Sequence, residues 1–288
     1  MFKNLSFENL GIKTEMREAL RLAKLGNFEG ADIDIVQAES LCGKHSFAYL
    51  KGMFDSFGIK PGAWRLPMDI ADIETGFNKS LEEIAPFMAT AEKIGALRAL
   101  VLLPSGSENF SCEDFCAILP ERLSILGAIA AKHSCRIGVQ LPEIQQSVKT
   151  YKHTYSFSLN QAVDLCRKTS TGNAGIVFDT FIWHSEGSRK EDLQKLGNND
   201  IVYVKVSDAG AKPSDEIRQT NERRLPGETN TVNLTLAMKL LCEIGYKGPV
   251  TPVSEERRIT ALPHEIAVIL SGGYLAGLWK KVFTGTQD

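Results

Sequence analysis

Gly175-Ile-Val-Phe-Asp-Thr-Phe-Ile-Trp-His184 decides how this chain is read. Gly175 to Phe178 is short and wholly apolar, which suits a strand covered on both faces in a parallel sheet. Asp179 follows at once, where such a strand stops and its loop begins. A carboxylate there emerges at the C-terminal mouth of the sheet, the end at which α/β folds keep their ligands. Two readings of Asp179 stand together: a cap for the next helix or turn, and a functional carboxylate.

Outward from this strand the chain alternates apolar runs with amphipathic stretches. Upstream, the spacing predicts helices over 15–25, 40–57, 81–94, 115–133 and 159–168, several of them stopped by glycine as at Gly26, Gly58 and Gly95. Strands are predicted over Ala31-Asp-Ile-Asp-Ile35, Pro61–Pro67, Ala99–Leu103 and Arg136–Leu141. Downstream, the β-forming run Ile201-Val-Tyr-Val-Lys-Val206 and Pro249–Val253 read as strands. Helices are predicted over 190–196, 234–244 and 266–283, the last with a break at Gly272-Gly273. Strands alternating with helices pair in parallel through right-handed crossovers. About eight such units close into a (β/α)8 barrel. With no linker or composition shift, residues 1–288 are expected to form a single domain.

Composition excludes several classes. Hydrophobic residues make up 43% of 288 and charged residues 24%, ordinary for a globular chain. A net charge of -2 disfavours a polyanion-binding surface, so no nucleic-acid partner is expected. No secretory signal is read at Met1-Phe-Lys-Asn-Leu5 and no membrane span in the apolar runs, so the expectation is a cytoplasmic protein. The six cysteines are scattered without a Cys-x-x-Cys pair and read as free thiols. Neither a Gly-x-Gly-x-x-Gly, a Walker-type loop nor a Gly-x-Ser-x-Gly elbow occurs. What remains is a row of polar residues at strand ends: Asp34, Trp64 and Arg65, Gln140, Asp179, Lys205 and the Val253-Ser254-Glu255 corner.

At this point the chain resembles the sugar phosphate isomerase/epimerase family, which has the xylose-isomerase-like TIM barrel. The likeness lies in Asn173–His184, Glu191–Leu196, Ile201–Ala209, Arg223-Arg-Leu-Pro-Gly227 and Ile244–Pro252, in that order and spacing. Gly26–Asp34 and Ile94-Gly-Ala96 fit more loosely. The resemblance implies proton abstraction beside a carbonyl, with a divalent metal such as Mn, Mg, Co or Zn polarising the substrate oxygens. It also implies four metal ligands: a Glu, an Asp, a His or Gln, and a second Glu.

Carried over position by position, those ligands fall on Gln140, Asp179, Lys205 and Val253, and only Asp179 is kept. Gln140 cannot shuttle a proton, Val253 has no donor, and a Lys205 ammonium would repel a cation. No catalytic metal and no other cofactor is therefore expected. Trp183, His184 and Arg223 match the family, whereas its histidine after the Asp becomes Ile182.

Lys205 and Asp179 are read either as an ion pair standing in for the metal or as a chemical centre, with His184 and Gln140 beside them as catalytic candidates. An imine role for Lys205 is disfavoured, since a neighbouring carboxylate raises an amine's pKa. Trp64, Arg65, Glu143, Trp183 and Arg223 are the candidates for holding substrate. Rim packing is the alternative for Trp64 and Arg65, and an exposed loop acid for Glu143. The implied ligand is a small carbohydrate or polyol, and self-association is left open. A barrel that has lost catalysis and binds a sugar-like ligand or a protein is the other function carried forward.

Overall fold

The structure is a computed structural model that describes residues 1–142, 151–187, 189–210, 222–254 and 257–284. Eight traverses of parallel strand form one ring: β1 (Phe2–Leu5), β2 (Gly30–Ala31), β3 (Lys60–Pro61 and Trp64–Arg65), β4 (Arg98–Leu102), β5 (Arg136–Gln140), β6 (Ala174–Asp179), β7 (Ile201–Val206) and β8 (Pro249–Pro252). The two pieces of β3 are the two ends of the hydrogen-bonded order. Lys60–Pro61 pairs with β2, and Trp64–Arg65 pairs with β4. One continuous segment joins both edges, so the sheet closes. β1 completes the circle between β2 and β8, with Phe2 opposite Pro249.

The strands are buried on both faces because helices cover the outside and side chains fill the inside. The outer layer includes α1 (Met16–Leu25), α2 (Ile35–Lys44), α3 (Phe47–Phe57), α4 (Glu74–Ile94), α5 (Cys112–Ala131) and α6 (Leu159–Arg167). It continues with α7 (Thr180–Ser185), α8 (Lys190–Gln194), α9 (Leu234–Glu243) and α10 (His264–Phe283). Inside the ring a separate apolar cluster of Ala63, Leu100, Val177, Val202 and Tyr203 forms the floor. A β-carbon at Gly138 would sit 2.7 Å from the Leu100 side chain, so a larger residue where β5 crosses this floor would oblige Leu100 to shift.

Several predicted elements move at their ends. The strand expected over 31–35 is only Gly30–Ala31, and a helix begins at Ile35 with Asp34 as its N-cap. The single helix expected over 40–57 is two, divided where Ser46 accepts the amide N–H of Tyr49 and starts α3. α10 runs unbroken through Gly272-Gly273. Gly272 is required for packing, because a β-carbon there would overlap the carbonyl oxygen of Gly26 at the end of α1. At 20 residues and mean hydropathy 1.3, α10 has the length and composition of a membrane span. Here it buries Ala267, Val268, Leu275 and Leu278 against the barrel.

Candidate active site

The C-terminal ends of the strands converge on a cavity of about 960 Å³, bordered by Trp64, Arg65, Gln140, Lys205, Asp32 and Tyr203 and by the loop from β1 to α1. Arg65 and Gln140 end their strands, Lys205 is next to last in β7, and Asp32 directly follows β2. Lys205 is 3% exposed although it borders the cavity. Across the ladder its register neighbours are Asp179 on β6 and Thr251 on β8. Gln140 ends β5 and is also buried. Arg65 reaches toward solvent, where it pairs with Glu8 at 3.0 Å. Trp64 is in the core and donates its indole N–H to the Ala96 carbonyl at 2.9 Å.

Asp179 is committed elsewhere than to Lys205. Its two oxygens each accept from Nη1 of Arg223 at 2.9 Å. Its Oδ1 also accepts the amide N–H groups of Phe181 and Ile182, which caps α7. Arg223 is fully buried and lies 4.5 Å over the Phe181 ring. The ion pair at Asp179 is thus with an arginine, and the carboxylate is both helix cap and counter-charge. That corrects the expected lysine partner. The reach of a guanidinium from the Arg223–Arg224 strand, which pairs with Asp208–Ala209, could not be read from strand ends alone.

The remaining candidates divide. Trp183 is buried and gives its indole N–H to the Arg189 carbonyl at 3.2 Å, so it anchors the turn after α7. His184 is half-buried on the same helix and is not among the residues bordering the cavity. Burial pushes its pKa down, against the opposing field of Asp208. Glu143 and Glu255 lie outside the described residues. Asp34 is exposed and accepts from the Gln37 amide at 3.0 Å.

Sequence reasoning missed the floor of the cavity. Asp32 Oδ1 accepts from Asn4 Nδ2 at 2.8 Å and from the Ala63 amide at 2.9 Å. Its Oδ2 accepts the Tyr203 phenol at 2.5 Å. Thr251 donates to the same phenol oxygen at 2.6 Å and accepts from Asn4 Nδ2 at 2.9 Å. Three strands, β1, β7 and β8, and the segments after β2 and within β3 therefore meet in one polar knot. Burial raises the Asp32 pKa, and the hydrogen bonds from Tyr203, Ala63, Asn4 and Ser6 work against that rise. Burial, then the Asp32 charge, hold Tyr203 well above the usual phenol range. One signal was present: Tyr203 stands two residues before Lys205, on the same side of a strand.

The family's metal can be tested against these donors. Val253 is buried hydrocarbon, Gln140 offers an amide, Lys205 an amine, and both Asp179 oxygens serve Arg223. Among the described residues no three His, Cys, Asp or Glu side chains gather to hold an ion. This donor set does not fit a hard divalent cation. A second groove of about 730 Å³ lies outside the ring, between residues 226–235 and α10, and Lys281 is its one charged lining residue.

Comparison with known proteins agrees with this architecture. Over 182 residues the chain is 29% identical to inosose isomerase of Bacillus licheniformis, which covers 62% of this chain and 61% of that protein. It superposes on a xylose isomerase domain protein from Alicyclobacillus acidocaldarius with a TM-score of 0.80 at 22% identity, covering 96% of this chain and 98% of that one. It superposes equally, at 20% identity and over 99% of its length, on all of the IOLI protein crystallised with a zinc atom. The family model described as xylose isomerase-like TIM barrel matches residues 21–270, and the chain belongs to that family.

Proposed function

We propose that this protein is a sugar isomerase- or epimerase-like enzyme that moves a proton beside the carbonyl of a small carbohydrate or polyol, without a divalent metal. The observation that carries the reading is Lys205: an amine kept nearly out of solvent, in the wall of a sugar-sized cavity, at the strand end where the family expects a metal ligand. Removing the proton next to a carbonyl leaves negative charge on the carbonyl oxygen. A protonated amine facing that oxygen stabilises it better than bulk water would. Gln140 adds an amide that can donate to a hydroxyl, and Arg65 a guanidinium at the rim. The named relatives support the substrate class, since inosose is a cyclic polyol carrying a carbonyl.

Metal analysis joined to a turnover assay tests this. Purified protein is incubated with an inosose and with D-tagatose, with and without chelator. Turnover is expected to survive chelation. A stoichiometric divalent ion, with activity lost on its removal, would refute the metal-free reading.

One observation favours a second reading. Asp179, Trp183 and Arg223, all matched to the family, are absorbed into caps, core and a buried ion pair. A barrel whose site residues serve the fold in this way could bind a sugar-like ligand without transforming it. Calorimetric binding of either sugar with no hydrogen exchange beside the carbonyl would select that reading.

A further inference from the structure

Asp32 is the member of the polar knot that opens to the cavity: it is partly exposed, whereas Tyr203 beneath it is 1% exposed. We propose that Asp32 is the catalytic acid–base residue of this mouth, with Tyr203 as its positioning residue; the assignment rests on the proton-transfer reading above. Three observations support it.

The carboxylate is fixed before any ligand arrives. Asn4 on β1, Ala63 in the link between the two pieces of β3, and Tyr203 on β7 hold it at 2.8, 2.9 and 2.5 Å. The chain is also cleared around it. A β-carbon at Gly62 would overlap Asn4 Oδ1 and come within 2.6 Å of Asp32 Oδ1, so β3 passes this point only as glycine. Such fixing removes the reorganisation that a mobile acid would need.

The acid–base positions carried over from the family are spent. Asp179 has both oxygens on Arg223, and its Oδ1 also accepts two backbone amides. Gln140 and Val253, where the family places its two glutamates, cannot accept a proton at all. Burial, meanwhile, makes Asp32 a stronger base than an exposed aspartate.

The step balances. The C–H bond beside the carbonyl breaks and its electron pair forms the C=C bond of an enediolate. The proton forms an O–H bond on Asp32, and the carbonyl oxygen takes the negative charge facing Lys205. Return of the proton to the neighbouring carbon, with the hydroxyl proton passing between the two oxygens, completes an isomerisation without oxidant or reductant. Other charged or titratable groups around the cavity are Tyr203 and Lys205 on β7, Arg65 on β3, Asp34 beyond β2, and Glu8, Lys13 and Glu15 of the loop after β1.

The test follows hydrogen–deuterium exchange beside the carbonyl of an inosose and of D-tagatose by NMR in D2O. Asp32→Asn should slow exchange by about 100-fold or more, the usual contribution of a general base, while calorimetric affinity changes far less. Tyr203→Phe removes a hydrogen bond that lowers the Asp32 pKa, so the acid limb of its pH–rate profile should move to higher pH. Wild-type exchange in Asp32→Asn overturns the assignment and leaves the proton-transfer reading intact. If Asp32→Asn does not fold, an unmoved acid limb in Tyr203→Phe overturns it instead. A wild-type protein that exchanges neither sugar overturns the function and this proposal together.

Discussion

Arg223 and Asp179 are almost wholly removed from water, and one guanidinium nitrogen serves both carboxylate oxygens. Two charges this deep are costly to desolvate, and their attraction largely offsets that cost only while both are present. Arg223→Met should therefore cost about 3–5 kcal/mol in urea unfolding, because it strands a buried carboxylate. Replacing both partners, as in Arg223→Met with Asp179→Leu, should cost less than the sum of the two single changes. The residue scale also shows how far the sequence can be read. It placed Asp179, Lys205 and Gln140 at strand ends, where they are. It offered only Lys205 as a partner for Asp179, since an arginine 44 residues away is brought there by the pairing of residues 208–209 with 223–224. Asp32 escaped because Ala31–Ile35 alternates like a strand, which drew attention to Asp34 at its apparent end. The real strand stops at Ala31, so the carboxylate in the wall is two residues earlier.

At the scale of elements, β7 departs from a regular ladder. Its register against β6 shifts between Ile201 and Tyr203, and both Val202 and Tyr203 join the inner cluster. A bulge adds a residue without a partner and re-aims the side chains beyond it. Nothing in Ile201–Val206 signals that, because a run with five β-forming residues in six fits either register. The connection from β6 to β7 carries a separate charge lock. Arg167 at the end of α6 grips Asp200 through Nε at 3.0 Å and Nη2 at 2.8 Å, and the Gly197 amide adds a third donor. The Arg167 hydrogen bond, first among the causes, holds the Asp200 carboxyl below its ordinary value of 3.8. The unfolded chain then binds that proton more readily than the folded one, so the stabilisation is present above pH 3.8 and is lost as pH falls through the folded value. Arg167 is 46% exposed, which limits the effect to about 1 kcal/mol. Urea midpoints of wild type and Arg167→Met should differ at pH 7 and converge in strong acid. A gap that persists there would assign the effect to packing of the arginine stem.

For the whole molecule, the decisive contact is the one the sequence leaves for last. Alternating strands and helices foretell a ring, since parallel neighbours need crossovers and an open sheet of this length would bare two edges. They do not say where the ring shuts. It shuts twice: along β3, which borders both β2 and β4, and at β1, which lies beside β8 from the far end of the chain. Asn4 on β1 is 0% exposed and donates to Asp32, just past β2, and to Thr251 on β8, so the first strand is both a wall of the barrel and a support of the candidate base. Closure and chemistry are thus one structural event. Deleting residues 1–5 should expose the edges of β2 and β8 and release Asp32 from its Asn4 donor. The full chain is expected to unfold in urea with coincident transitions by tryptophan fluorescence and far-UV circular dichroism, as a single cooperative domain does. The truncated chain should lose that coincidence, because Trp64 on β3 would report an opened ring while the helices persist. Coincident curves with an unchanged midpoint would mean that the barrel holds without its first strand, and that the polar knot is an accessory to the fold.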